Sequence, residues 1–194
     1  MRIKIIFCFL AIVVIGFSFF GCQSNNTVNV SKPSNGAVDE FPADSFAHYE
    51  KALATDSLNT ELRIVVANNY YVKMQYEKAI AHLLKVIQID TKNTVALITL
   101  GNIYYDTEQY EKGIEYYEKA LVIDDSNINV RCDLATCYLN IKKPDKAFSI
   151  LKKNIEMDYN HAQSHHNLSV VYEELGKPKE AAEEMAIFNK LSKQ

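Results

Sequence analysis

Apolar positions along most of this chain recur at helical spacing, and the pattern itself repeats. Within 94–127, Leu97, Leu100, Gly101 and Tyr104 fall at i, i+3, i+4 and i+7, one face of a helix. The segment 106–109 breaks the pattern. Gly113, Ile114, Tyr117, Ala120 and Leu121 then form a second helical face, and "DDSN" closes the unit. Two amphipathic helices and two short turns fill 34 residues. Neither helix alone could bury its stripe, so neighbouring units must stack. The pattern overlays without gaps on 60–93, 128–161 and 162–194, the last one residue short.

The columns of this overlay have physical content. Ala67, Gly101, Ala135 and Ser169 are small, which lets the two helices of a unit approach closely. Ala79, Gly113, Ala147 and Ala181 do the same from the second helix. Tyr70, Tyr104, Tyr138 and Tyr172 follow three places after the first small column, and are predicted to fill the wedge between adjacent helix pairs. Pro144 and Pro178 occupy equivalent places near the start of the second helix, where proline is tolerated. Upstream, "FAHYEKALATDSLN" at 46–59 matches the second-helix pattern of "EYYEKALVIDDSN". It predicts a partial unit over 43–59 whose helix caps the open face of the first full unit.

The period, with L-G-x-x-Y and then A-x-x-x-F, resembles the tetratricopeptide repeat (TPR) family. "LGNIYY" at 100–105 is the best match, and the resemblance covers 60–194. It implies an all-α fold: an α-solenoid of antiparallel helix pairs, with four repeats and an N-terminal capping helix. Two columns depart from the family. Its tryptophan position holds Arg63, Leu97, Arg131 and His165, and its closing proline is absent.

The first 21 residues are a different material. Arg2 and Lys4 precede an uncharged run at 5–20, then Gly21-Cys22, and the chain turns polar at once. This is the layout of a secretory signal, and the run is short for a membrane span. The Gly-Cys ending resembles a bacterial lipoprotein lipobox, which implies cleavage before Cys22 and its lipidation (palmitate among the acyl chains). Phe19 and Phe20 depart from the usual residues there. The alternative is an uncleaved membrane helix with Cys22 as an interfacial thiol. Residues 22–42 are rich in Ser and Asn and lack a hydrophobic period, so they read as a flexible tether spanning on the order of 25 Å.

Charge and chemistry narrow the function. Net charge is −3, or −5 once Arg2 and Lys4 leave with the signal, and no basic cluster stands out. Nucleic acid is not an expected partner. Cys132 and Cys137 lie five apart in one helix, too far for a disulfide, and read as structural residues with no histidine or acidic neighbours in ligand spacing. His161, His165 and His166 raise the question of a metal. His161 and His165 are four apart, but Ala162 excludes an H-E-x-x-H helix, and His165 falls in a packing column. No phosphate loop or Ser-His-Asp grouping is present. The expectation is no catalytic residue, no metal site, no cofactor and no enzyme.

Recognition has a visible seat. The TPR resemblance implies an inner groove lined by the first helices. One stripe there holds Ile64, Asn68 and Tyr71, then Ile98, Asn102 and Tyr105. It continues through Cys132, Thr136 and Leu139 to His166, Val170 and Glu173. Asparagine can donate to and accept from a peptide backbone, and tyrosine adds flat apolar area with a polar tip. The stripe has no lysine or arginine, so it lacks the carboxylate clamp of chaperone-binding TPR domains. Met185, Phe188 and Leu191 on the last helix are a candidate homodimer or partner surface. The leading expectation is a lipid-anchored TPR scaffold in the bacterial cell envelope, on the outer membrane or the periplasmic face of the inner membrane. It would bind a protein or extended peptide. A narrower version is an assembly factor, similar to the TPR pilotin lipoproteins of type IV pilus systems. The alternative is a metal-binding or catalytic envelope protein using His161, His165 and His166.

Overall fold

A computed structural model describes residues 45–193. The expectations for the signal, Cys22 and the tether lie outside the described residues. Within them the chain runs α1 (Ser45–Thr55), α2 (Thr60–Val72), α3 (Tyr76–Ile89), α4 (Thr94–Asp106) and α5 (Tyr110–Ile123). It continues through α6 (Ile128–Asn140), α7 (Pro144–Met157), α8 (Ala162–Glu174) and α9 (Pro178–Leu191). We call the pairs α2–α3, α4–α5, α6–α7 and α8–α9 units 1 to 4. No strand occurs among the described residues.

Each helix packs on the next, and α2, α4, α6 and α8 also touch in succession. Among the described residues, α3, α5, α7 and α9 do not touch one another. The first helices therefore form the tighter layer, and the stack curves with them on its concave side. Helix α1 packs on α2, buries Leu53 and accepts the Tyr70 hydroxyl on Glu50. Glu118 on α5 does the same for Tyr138 at 2.7 Å, again twenty residues back. So α1 stands where the second helix of a preceding unit would stand.

The tyrosine column bridges units. Tyr70 and Tyr104 stack on His82 and Tyr116 of their own second helices, with ring centroids 5.6 and 5.4 Å apart. Lys78, Lys112 and Lys146 lie about 5 Å over the rings of Tyr70, Tyr104 and Tyr138. These three tyrosines are buried, while Tyr172 in the last unit is half-buried.

Turns between units follow a D-x-x-N rule. Asn59, Asn93 and Asn127 cap α2, α4 and α6: each Oδ1 accepts the N–H of the residue three ahead at 2.9–3.1 Å. Such caps stabilise by about 1 kcal/mol each. Asp90, Asp124 and Asp158 fold the turn by accepting the N–H two residues on. At α8 the cap position holds His161, whose side chain makes no such bond.

The column that departs from the family's tryptophan also serves these turns. Arg63, Arg131 and His165 each reach six residues back to a turn carbonyl, of Ser57, Asp125 and Tyr159 respectively. In unit 2 Leu97 fills the place by packing alone. A buried polar side chain thus satisfies a backbone acceptor that would otherwise need water.

Candidate functional site

The concave face is built from α2, α4, α6 and α8. In units 1 and 2, Ile64, Asn68, Tyr71, Ile98, Asn102 and Tyr105 are half-buried and border an open surface. In unit 3 the stripe closes. Cys132, Thr136 and Leu139 are 0, 6 and 7% exposed. This corrects the expectation that the open stripe runs the length of the stack: α8 packs against α6 there. Thr136 donates to the Cys132 carbonyl at 2.9 Å and accepts from Asn167 at 3.2 Å. His166 and Val170 are half-buried, Glu173 is exposed, and the His166 ring lies 5.0 Å from Phe188 of α9.

The open patch has internal wiring. The Tyr71 hydroxyl donates to Asp106 at 2.6 Å, joining unit 1 to unit 2. The Tyr117 hydroxyl, from α5, donates to Asn102 Oδ1 at 2.7 Å. Asn68 has no side-chain hydrogen-bond partner among the described residues. Beneath lies Asp133, only 5% exposed. Burial is the first cause that raises the hydroxyls of Tyr71, Tyr105 and Tyr117. The negative charge of Asp133 adds to each rise, and Asp106 adds to those of Tyr71 and Tyr117. Tyr105 is pushed up to about 12, although a hydrogen bond with Asn140 opposes the shift. Around neutral pH the patch is therefore a set of protonated phenols around two aspartates.

Neither Asp106 nor Asp133 stands out in the sequence. Asp106 falls where the helical pattern breaks. Asp133 shares a column with Val65, Thr99 and Asn167, and that change of polarity inside a helix was the available signal.

The cysteines are core residues, both 0% exposed, with burial the main cause raising the Cys137 thiol. Cys132 also meets polar side chains from the next unit, which no ligand spacing in the sequence announces. Its sulfur lies 3.9 Å from His161 Nδ1 and 3.4 Å from both Ser164 Oγ and Asn154 Nδ2. The stack brings together residues 22 to 32 apart in sequence.

The three histidines are engaged separately. His161 meets Ser164 at 2.8 Å and Asn129 at 3.0 Å through its two nitrogens. His165, 1% exposed, meets Glu184 at 2.6 Å and the Tyr159 carbonyl at 2.8 Å. His166 turns toward Phe188. No group of three metal-ligating side chains converges among the described residues.

Between units 3 and 4 the concave face holds a cleft of about 100 Å³, lined by Leu139, Asn140, Lys142, Val170 and Glu174. Small-molecule sites are roughly 300–1,000 Å³. The cleft is too small for one.

On α9, Met185, Phe188 and Leu191 are half-buried rather than exposed. Ala182 and Asn189 are exposed, at the positions of Phe148 and Ile155 one unit earlier. The outward face of α9 is therefore less apolar at these two positions than that of α7.

Residues 97–193, half of the chain, match the family described as "Tetratricopeptide repeat protein 21 forth ARM domain". No curated protein matches. Among solved structures, "Crystal structure of MamA" superposes with a TM-score of 0.72 at 20% identity, covering 77% of this chain and 87% of that one. "MamA 41-end from Desulfovibrio magneticus RS-1" gives 0.72 at 15% identity, covering 77% and 84%. "Crystal structure of YrrB: a TPR protein with an unusual peptide-binding site" gives 0.67 at 24% identity, covering 76% of each chain. At these identities the likeness is one of fold. With the repeat in the sequence, the helix pairs in the structure and the family match over half its length, the chain belongs to the tetratricopeptide repeat family.

Proposed function

We propose that this protein is a lipid-anchored scaffold of the bacterial cell envelope that binds an extended segment of a protein partner along units 1 and 2. The observation that carries the reading is the concave patch of Ile64, Asn68, Tyr71, Ile98, Asn102 and Tyr105. It offers half-buried apolar and aromatic area, with the Asn68 amide open to a ligand backbone. A TPR neighbour described as having a peptide-binding site supports the same use of the fold. The role is non-catalytic: the candidate histidines serve packing and turns. An assembly factor is the narrower form. The less apolar outer face of α9 favours the groove over a C-terminal dimer as the working surface.

Affinity capture from detergent-solubilised cells tests the groove. Asn68→Ala with Asn102→Ala should lose the partner while circular dichroism stays helical, each lost amide costing roughly 1–3 kcal/mol of binding. Lys119→Ala with Lys152→Ala, on the second helices, should keep it. The reverse result moves recognition to the convex side and ends the groove reading. The anchor is tested separately: Cys22→Ser should abolish radioactive palmitate labelling and leave the signal uncleaved. Mature wild-type protein that retains Arg2 and Lys4 would overturn the lipoprotein assignment.

A further inference from the structure

Helix α1 runs antiparallel to α2: only residues 56–59 join them, and Tyr70 near the end of α2 reaches Glu50 on α1. The first helices of the four units run parallel, because each is followed by an antiparallel partner. Ser45, where α1 begins, therefore comes to the edge of the stack on which α2, α4, α6 and α8 end. The same edge holds the turns inside each unit, at 73–75, 107–109, 141–143 and 175–177. Cys22 stands upstream of Ser45, so a chain held at Cys22 is held by this edge. The turns between units lie on the opposite edge.

One turn on the held edge differs from the other three. Val72 ends α2, and its equivalents are Asp106, Asn140 and Glu174. Met74 is the left-handed residue of its turn, and its equivalents are Glu108, Lys142 and Gly176. Unit 1 thus carries apolar side chains at two positions that hold polar residues or glycine in every other unit. Neither joins the core: Val72 is 82% and Met74 73% exposed. Lys73, exposed between them, ends α2 as its C-cap. The charges of this edge balance, with Lys73, Lys142, Lys143 and Lys177 against Asp106, Glu108, Glu173 and Glu174. The opposite edge is apolar in another way. Ile89, Ile123 and Met157 recur there at one position of successive units, while Leu58 and Val122 stand singly in different parts of the stack.

From the place of this tip on the held edge we infer that Val72 and Met74 enter the interfacial layer of the membrane to which the chain is anchored. The inference rests on the proposed lipid anchor and adds the face that the stack turns to the lipid. Two side chains bury too little apolar area to hold a free protein on a bilayer. The anchor makes the contact intramolecular, so a weak contact is enough. Lys73 suits this place, because its stem can lie beside apolar neighbours with its ammonium among the headgroups. With the edge's charges in balance, the contact does not depend on anionic lipid.

The test uses the full chain, extracted in detergent and reconstituted in phosphatidylcholine vesicles. A maleimide fluorophore is placed at the tip by Lys73→Cys, or on the opposite edge by Leu58→Cys. Cys132 and Cys137 are 0% exposed and do not compete for the label, and the parent chain treated alike gives the background. Phospholipid spin-labelled on its acyl chain should remove most of the emission at position 73 and little at 58. Adding phosphatidylglycerol should not change this. Val72→Asp with Met74→Glu, which gives unit 1 the residues of unit 2, should restore the emission at 73 while circular dichroism stays helical. An unquenched label at 73, equal quenching at 73 and 58, or quenching that survives the tip substitutions overturns the inference. The mass of the mature protein separates the two readings. If Cys22 carries lipid and position 73 is unquenched, the anchor stands and the tip contact falls. If Cys22 carries none and position 73 is unquenched, both fall. Quenching at 73 that needs Val72 and Met74 in a chain without lipid upholds the contact and overturns the anchor alone.

Discussion

A Cβ atom added at Gly101 would lie 2.5 Å from the Tyr117 ring, closer than real contacts allow. The same two columns elsewhere hold Ala67 with Leu83 and Ala135 with Leu151, all 0% exposed. Unit 2 has thus exchanged a small-plus-medium pair for a smallest-plus-large one, and the ring brings a hydroxyl to Asn102 in the candidate groove. Gly101→Ala alone should cost about 1–3 kcal/mol by overpacking. Tyr117→Leu alone should also destabilise, by leaving space. Together they recreate the pair of units 1 and 3, so urea unfolding should show the double variant losing less than the sum of the singles. Strict additivity would show that the two residues do not share one space.

Each unit turns between its helices through a left-handed residue: Met74, Glu108 and Lys142 at φ near +57°, and Gly176 at +70°. The next N–H then returns to the carbonyl of the tyrosine column, at 2.8 Å from Gln109 to Tyr104 and from Lys177 to Tyr172. This closure satisfies the helix end without proline. Three of the four units hold a side chain where glycine is the unstrained choice. Glu108→Gly should therefore stabilise, and Gly176→Ala destabilise, by about 1 kcal/mol each in thermal or urea unfolding. Destabilisation by Glu108→Gly would mean that the gain in unfolded-chain entropy outweighs the relief of the turn.

At the scale of the molecule, contacts run between neighbours, as in any solenoid. Two apolar clusters, one around α2 to α4 and one around α4 to α8, share the side chains of Ile87 and Tyr116. Helix α6 packs on α4, α5, α7 and α8, and its residues 130–139 are all buried. Among the described helices, α1 packs on α2 alone. Hydrogen exchange should therefore be slowest in α6 and fastest in α1, with α9 between them. Uniform protection would show that the stack opens as one unit.

The repeat determined the all-α stack, the sites of close helix approach and the tyrosine wedges, because these follow from residues 34 apart doing the same job. Helix periodicity placed Asn68 and Asn102 on the inner side for the same reason. Whether that side stays open was not local information. Thr136 and Leu139 sit in the groove column yet are buried, because α8 closes over α6. Cys132 meets His161, and Tyr71 meets Asp106, only when successive units stack. The sequence names which face of a helix is inner; the packing of neighbouring units decides which of its residues water, or a partner, can reach.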